Sequence, residues 1–137
     1  MRRAAVALVA LAVAACAEPD AMEQARPLPT AGLGGQTWML DTLGPDPVAT
    51  PVTAVFEAGR VSGAGPCNRY FGAYETEDDR LSIDAVAATR AICPDQPLET
   101  RYFSALTEVA TVAFTAAQMT LFDRDGGELM TFVAVPN

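Results

Sequence analysis

The stretch VSGAGPCNRYFGAYE, residues 61–75, contains the features that decide how this chain folds. Residues 70–74 are predicted to form a β-strand, in which Gly72 allows another part of the chain to pack closely. Cys67 lies just before this strand, between Pro66 and Asn68. Because proline restricts φ and asparagine readily bonds nearby backbone groups, these two residues are expected to shape a turn that presents the cysteine.

The segments around this stretch also predict short strands, because their side chains alternate between polar and apolar. They are residues 37–43, 52–65 (two strands around a hairpin turn), 69–75, 80–86, 112–116, 118–123 and 128–135. An Asp-Gly pair at Asp125 and Gly126 is a tight-turn signal between the last two. Strands, one helix and then strands predict the α+β class: a mostly antiparallel sheet, partly closed and barrel-like, with one main amphipathic helix packed on it.

The helix is predicted to begin after Cys93. Asp95 is expected to cap it, Pro97 suits its first turn, and Glu99 suits the positive end of its dipole. One face recurs at helical spacing and is expected to pack on the core. That face consists of Leu98, Tyr102, Ala105, Leu106 and Val109, and Glu99 falls outside it.

The start of the chain has the pattern of a bacterial lipoprotein signal. A basic start is followed by an apolar run over residues 4–15, which is too short for a membrane-spanning helix. VAAC, residues 13–16, resembles the cleavage motif after which Cys16 carries acyl chains. We therefore predict a signal peptide over residues 1–15, a lipid-anchored flexible tether over 16–36, and a domain over 37–137. The predicted location is the periplasmic side of the envelope, favouring the outer membrane because Ala17 follows the cysteine.

Charge and composition exclude several function classes. The formal net charge is −8, which is unfavourable for binding nucleic acid. The chain has no histidine and no lysine, so histidine metal sites, Ser-His-Asp triads and Schiff-base chemistry are absent. The acidic loop 75–79 could hold calcium loosely, but a solvated loop is the simpler interpretation. We predict no cofactor, no metal and no catalytic residue.

The remaining cysteines are Cys67 and Cys93, since Cys16 is the predicted lipid carrier. An even number in an oxidising compartment favours a disulfide. With 26 positions between the two residues (93 − 67), the chain-entropy model gives about 3.5 kcal/mol of stabilisation. The alternatives are two reduced buried thiols, or reactive or metal-bound thiols. Two thiolates are too few for a structural zinc site.

Three polar residues near these cysteines are the candidate binding residues. Asn68 is expected to satisfy backbone groups at its turn. A disulfide would bring Arg69 and Arg90 near each other, giving a local basic spot that could bind a carboxylate. The alternative is that both arginines form salt bridges to neighbouring acids.

Five motifs in order resemble the META/HslJ family, over residues 37–135. They are TWML (37–40), VSGAGPCNRYFGAYE (61–75), ATRAICP (88–94), LETRYFSAL (98–106) and TLFDRDGGELMTF (120–132). Pro66 departs from the pattern, in which glycine is expected before the cysteine. The resemblance implies a small α+β domain of envelope proteins, often lipoproteins, linked to heat shock or envelope stress, with no established enzymatic activity.

The leading functional hypothesis is a non-catalytic, lipid-anchored envelope domain that supports stress tolerance by binding an envelope protein partner. The alternative is a periplasmic inhibitor of an envelope hydrolase, of the protease or lysozyme type, because small disulfide-linked β-rich lipoproteins suit that task. A third hypothesis is an enzyme that relies on carboxylates or on Cys67.

Overall fold

A computed structural model describes residues 32–136 of the chain. The predicted signal peptide, the predicted lipid site Cys16 and most of the predicted tether lie outside the described residues. Within the described part, nine strands and one helix follow each other along the chain. They are β1 (Thr37–Leu43), β2 (Asp46–Pro47), β3 (Thr53–Glu57), β4 (Arg60–Ala64), β5 (Arg69–Glu77), β6 (Arg80–Ala88), α1 (Gln96–Glu108), β7 (Thr111–Phe114), β8 (Gln118–Phe122) and β9 (Glu128–Val135).

The strands form one sheet that closes on itself. Their order is β2-β1-β3-β4-β5-β6-β7-β8-β9, and β1 also pairs with β9. This last pairing makes a ring of β1 and β3 to β9, and all its pairs are antiparallel. The short β2 pairs only with the end of β1. The predicted α+β class, a mostly antiparallel sheet with one helix, is confirmed.

The core lies inside the ring, because alternate residues of each strand point inward. In β1 the buried residues are Trp38, Leu40 and Leu43, and the ring of Trp38 packs edge-on against Phe114 of β7. Leu33 is fully buried as well, and its carbonyl accepts a hydrogen bond from Trp38 Nε1 at 3.3 Å. The packed part of the chain therefore begins four residues (37 − 33) before the predicted domain boundary.

Helix α1 follows the predicted periodicity, with one difference at its start. Tyr102, Ala105 and Leu106 are buried as expected. Asp95 occupies the N-cap position, but its side chain makes no cap hydrogen bond and instead accepts one from the Thr50 hydroxyl. The prediction of a side-chain cap was wrong, because this carboxylate has a tertiary partner. No helix within residues 32–136 has the length and apolarity that crossing a membrane would require.

The ring has one weakly joined position, between β6 and β7. These strands share only the Arg80–Thr111 position, whereas β8 and β9 share five. Helix α1, which connects β6 to β7 along the chain, packs against β6. Among the described residues, 82–88 of β6 therefore have a strand neighbour on the β5 side only. We call the other side of this segment the open edge of β6.

A bulge bends β6 in the middle of the open edge. The pairing register with β5 shifts between Phe71 and Ala73, and Ala85 has a left-handed φ of 51°. The residue opposite the bulge is Gly72, where an added Cβ would lie 3.0 Å from the carbonyl oxygen of Asp84. The close packing predicted at Gly72 is confirmed: a larger residue would clash with the backbone of the bulged strand.

Candidate functional site

A disulfide joins the turn before β5 to the segment before α1. The structure links Cys67 to Cys93 with their Cα atoms 5.8 Å apart, within the usual range for a disulfide. In this state neither sulfur is available as a nucleophile or metal ligand. The bond holds two segments together that are otherwise far apart in sequence, and both belong to the candidate site.

Asn68 is buried and holds residues 89–91 through three hydrogen bonds. Its Oδ1 accepts from the Thr89 hydroxyl at 2.9 Å and from the Ala91 amide at 2.7 Å. Its Nδ2 donates to the Ala91 carbonyl at 3.0 Å. The side chain was predicted to satisfy its own turn, whereas it binds the backbone of a distant segment. We call residues 89–92 the clamped segment.

Glu99 is the functional-site residue that the sequence reasoning missed. It is only 3% exposed, although helical periodicity places it outside the apolar face. Its Oε2 accepts from the amides of Cys67 and Asn68 at 2.8 and 2.7 Å, and its Oε1 accepts from Asn68 Nδ2 at 2.6 Å. The buried carboxylate is therefore stabilised by three N–H donors rather than by a basic side chain. The only available signal was that this glutamate is the second residue of the motif LETRYFSAL.

Two buried tyrosines connect β5 to α1 beside this carboxylate. Tyr70 and Tyr102 share a hydrogen bond of 2.7 Å between their hydroxyls, and Tyr70 donates to the Thr53 carbonyl at 2.8 Å. Because Tyr70 has only one hydroxyl proton, Tyr102 is the donor between them. Burial raises the pKa of both hydroxyls well above the ordinary value. Neither is suited to transfer a proton near neutral pH.

A groove of about 560 Å³ runs between the open edge of β6, the clamped segment and α1. Asn68 and Glu99 lie on its inner wall with their polar atoms already in the hydrogen bonds described above. Its lining residues are Asn68, Val86, Ala87, Ala88, Thr89, Arg90, Ala91, Ile92, Gln96, Glu99, Thr100 and Phe103. The groove is open to solvent.

The clamped segment exposes its side chains while its main chain is held. Arg90 and Ala91 are exposed, and the Ile92 side chain is 93% exposed. A single exposed apolar side chain is common on protein surfaces, but Ile92 lies between Ala91, whose backbone is held by Asn68, and Cys93, which is held by the disulfide. The segment therefore has the form of a pre-ordered contact loop.

Arg69 and Arg90 line different depressions. Arg90 borders the groove, whereas Arg69 borders a separate depression of about 420 Å³ together with Arg60 and Phe71. The Arg60 guanidinium lies 4.4 Å from the centre of the Phe71 ring, which is 46% exposed. Within residues 32–136 neither Arg69 nor Arg90 forms an ion pair with an acidic side chain. Their backbones are nevertheless close, because the Thr89 amide donates to the Arg69 carbonyl at 3.0 Å.

Residues 32–136 contain no group of three or more cysteine or acidic side chains arranged to hold a metal ion. The acidic residues of loop 75–79 are exposed at the far end of the β5–β6 hairpin from the clamped segment. In the other acidic turn, Asp123 Oδ1 accepts from the amides of Asp125 and Gly127 at 2.9 and 2.8 Å. This carboxylate is engaged in stabilising a tight turn, as the sequence predicted.

These features define a class of protein: a small α+β domain whose closed antiparallel sheet presents a contact segment braced by a disulfide and a buried Asn–Glu pair. The chain belongs to the META domain family, whose model matches residues 31–136. The family resemblance predicted from the five motifs is confirmed. No curated protein matches the chain.

Three solved structures share the fold. A protein from Burkholderia xenovorans, solved by NMR, has a TM-score of 0.65 and 24% identity, covering 95% of this chain and all of its own. A second NMR structure has a TM-score of 0.61 and 25% identity, covering 75% of this chain and 92% of its own. A crystal structure of a DUF4847 family protein from Bacteroides vulgatus has a TM-score of 0.62 and 13% identity, covering 76% and 95%. Identities of 24% and 13% establish the fold alone.

Proposed function

We propose that this META-domain protein is a non-catalytic, lipid-anchored binding protein of the cell envelope. In this proposal Cys16 carries the lipid, and the domain faces the periplasm from the outer membrane. The clamped segment contacts an envelope protein partner, and the complex supports tolerance of envelope or heat-shock stress. No cofactor and no nucleic acid take part.

The observation that carries the proposal is the exposure of Ile92 on a restrained backbone. Asn68, Glu99 and the disulfide together hold the segment in one conformation. Because that conformation is already ordered in the free protein, binding through it loses little further conformational entropy. Burial of the exposed Ile92 side chain against a partner would add hydrophobic free energy to that contact.

The chemistry of the remaining groups supports a non-catalytic role. Cys67 is oxidised, and the acceptor atoms of Glu99 are occupied by N–H donors. Tyr70 and Tyr102 are buried and hold their protons to high pH. A general acid or base needs access to a substrate and a pKa near the working pH, and the two tyrosines have neither.

Site-specific crosslinking in living cells tests the partner. A photoreactive amino acid at position 92 should capture an envelope protein from the native host, and the same amino acid at Asp125, which is exposed on the 123–127 turn, is the matched control. We expect a discrete adduct from position 92 and none from position 125. Equal adducts from both positions, or none from position 92, would contradict the proposal.

The lipid anchor has its own test, because it rests on sequence alone. Wild-type protein should fractionate with the outer membrane and have a first residue heavier by the mass of its acyl chains. Cys16→Ser should abolish both properties and leave the fold of residues 32–136 unchanged by circular dichroism. A wild-type protein that is soluble and still begins at Met1 would rule out the anchor.

A hydrolase inhibitor is the second candidate, and the same segment favours it. Protein inhibitors of proteases present rigid loops that change little on binding, and Arg90, Ala91 and Ile92 are exposed on such a loop. Purified protein should then lower the rate of an envelope protease or of lysozyme at stoichiometric amounts. Ile92→Ser should restore that rate. If the rates of all tested hydrolases are unchanged, the inhibitor candidate is ruled out and only the partner-binding proposal remains.

A further inference from the structure

Within residues 32–136, the open edge of β6 has backbone hydrogen-bonding groups that face no neighbouring strand. We propose that it accepts an extended segment of the protein partner as an added β-strand, paired to residues 86–88 and lying in the groove against α1. The inference rests on the proposed function and specifies how the partner binds. In such complexes main-chain hydrogen bonds supply affinity, and pockets for alternate side chains supply selectivity.

The direction of the backbone amides in β6 supports this pairing. The Thr89 amide donates to the Arg69 carbonyl at 3.0 Å, so it points toward β5. Ala88 is paired with Tyr70, and amides along a strand alternate in direction. The amide and carbonyl of Ala88 therefore point away from β5, toward the groove. At the other end of the strand the Leu81 amide points the same way and donates to the Ala110 carbonyl at 3.1 Å.

The shape of the groove follows the main chain. Seven consecutive residues, 86–92, line one side of it. Residues 86–88 belong to β6, where consecutive side chains point to opposite faces, so a cavity that touches all three runs along the backbone rather than over one face. The groove therefore places a ligand where it can reach the unpaired backbone groups, as an added strand must.

The groove walls indicate the chemistry of the added segment. Val86, Ala88 and Phe103 are half-buried and belong to the rim of the core, so they form an apolar floor. Arg90 also lines the groove and has no acidic partner within the described residues. We therefore assign the site to an extended segment that places small apolar side chains on the floor and a carboxylate beside Arg90. Exposed Ile92 continues the same surface.

The bulge at Ala85 limits the pairing to a short stretch. Bulges twist a sheet edge and reduce indiscriminate pairing with other strands. Here the bulge separates residues 86–88 from the first half of β6, and α1 packs against β6. A partner strand must fit between the edge and the helix, which favours a short segment of matching side chains over an arbitrary edge strand.

Peptide binding to the purified wild-type domain tests the inference. The probe is a capped heptapeptide in which valine alternates with threonine, with one aspartate next to the end. Two twins of this peptide have the same sequence but carry N-methyl groups on every second backbone amide. One twin is methylated on the odd-numbered amides and the other on the even-numbered amides. We expect the parent peptide to slow hydrogen exchange of the Ala88 amide, one twin to bind as the parent does, and the other to lose binding by at least about tenfold.

Two results would overturn the inference. The first is equal binding of the parent and both twins, because an added strand turns only one set of amides toward β6. The second is protection of the Ala88 amide on concentrating the protein without peptide, which would make a second copy the occupant. If crosslinking from position 92 still captures a partner in either case, the proposed function stands and only the binding mode fails.

A substitution at Ala88 gives an independent test. Ala88→Pro removes the amide that faces the groove and leaves the Thr89–Arg69 hydrogen bond in place, since proline is tolerated on an open sheet edge. We expect about tenfold weaker binding of the parent peptide, whereas the control Ala88→Ser keeps the amide and the affinity. Unchanged affinity in a folded Ala88→Pro protein overturns the inference. If that variant does not fold, binding of the two N-methylated peptides to the wild-type protein tests the inference instead.

Discussion

The clamped segment and the turn at residues 123–127 are both exposed, but they are held in different ways. The turn is closed by its own residues: Asp123 accepts from the Gly127 amide, and Gly126 has a φ of 81°. The clamped segment is held by Asn68, which lies 21 and 23 positions away from its partners, and by Glu99 behind it. The turn exposes polar residues, whereas the clamped segment exposes Ile92.

This difference teaches where the fold places its restraint. A tight turn needs only local hydrogen bonds to keep a hairpin in register. The clamped segment is restrained by a disulfide and a buried carboxylate, and burying a charge is unfavourable unless several donors compensate it. Restraint of that kind around an exposed apolar side chain is understandable if the segment must meet a partner in one conformation.

Removing the disulfide should produce the largest effect. Cys67→Ser, Cys93→Ser and the double variant are each expected to lose about 3.5 kcal/mol of unfolding free energy, because each frees the same 26-position loop in the unfolded chain. Urea unfolding followed by tryptophan fluorescence measures the loss. An equal loss in all three variants identifies a purely structural bond. A wild-type stability that is unaffected by a reducing agent would contradict it.

Removing the buried carboxylate should produce the second-largest loss of unfolding free energy. Glu99→Ala leaves the amides of Cys67 and Asn68 and the Asn68 side-chain amide without their acceptor, which we expect to cost about 3 kcal/mol or more. Glu108→Ala, in the exposed last turn of the same helix, should change stability by no more than about 0.5 kcal/mol. Similar losses of unfolding free energy for the two variants would contradict the stabilising role of the Glu99 carboxylate.

Alkaline pH should act on the same region through the tyrosine pair. Burial raises the folded-state pKa of Tyr70 and Tyr102 above the unfolded value of about 10. Their contribution is therefore fully present below pH 10 and is lost as the pH rises further, because only the unfolded state releases the protons. Between pH 8 and pH 11, the unfolding free energy of the wild-type protein should fall by about 1.4 kcal/mol more than that of Tyr102→Phe.

The measurement is urea unfolding of both proteins at pH 8 and pH 11. Tyr102→Phe keeps the Tyr70 hydrogen bond to the Thr53 carbonyl, so its fold should persist. Equal losses for the two proteins would mean that the Tyr102 hydroxyl ionises in the folded state and does not hold β5 to α1 at high pH.

The local turn should give the smallest effect. Asp123→Ala removes one acceptor of two exposed amides, and we expect a loss of about 1 kcal/mol. Because the hydrogen bonds of Asp123 lie within the turn, hydrogen exchange of the Ala91 amide should remain as in the wild type. Conversely, Asn68→Ala should accelerate exchange of that amide and leave the Gly127 amide unchanged. A shared response of both regions to either variant would remove the contrast between them.

Much of the fold was predictable because its signals are local. Alternating polarity identified the strands, and the apolar spacing of Tyr102 and Leu106 identified the helix face. The five motifs identified the family. The prediction at Asp95 failed because its carboxylate binds Thr50, 45 positions away, a contact that no local pattern reports.

The candidate site was predictable only in part. The sequence drew attention to Cys67, Asn68 and Arg90, and all three lie at or beside the clamped segment. It also paired Arg90 with Arg69, whereas the two border different depressions. Side-chain placement on the outside of a sheet depends on strand register and the bulge, and neither can be obtained from spacing alone.

The sequence by itself determined the class of fold, the family and the two cysteines available for a disulfide, because alternation, helical period and cysteine number act over short distances or over the whole composition. Only the tertiary structure decided that Glu99 is buried and that, within the part of the chain that the structure describes, one side of β6 has no strand neighbour. Periodicity reports which face of an element is apolar. The partners of a buried carboxylate or of a strand edge lie in segments far away in the chain. They are therefore determined only when those segments pack together.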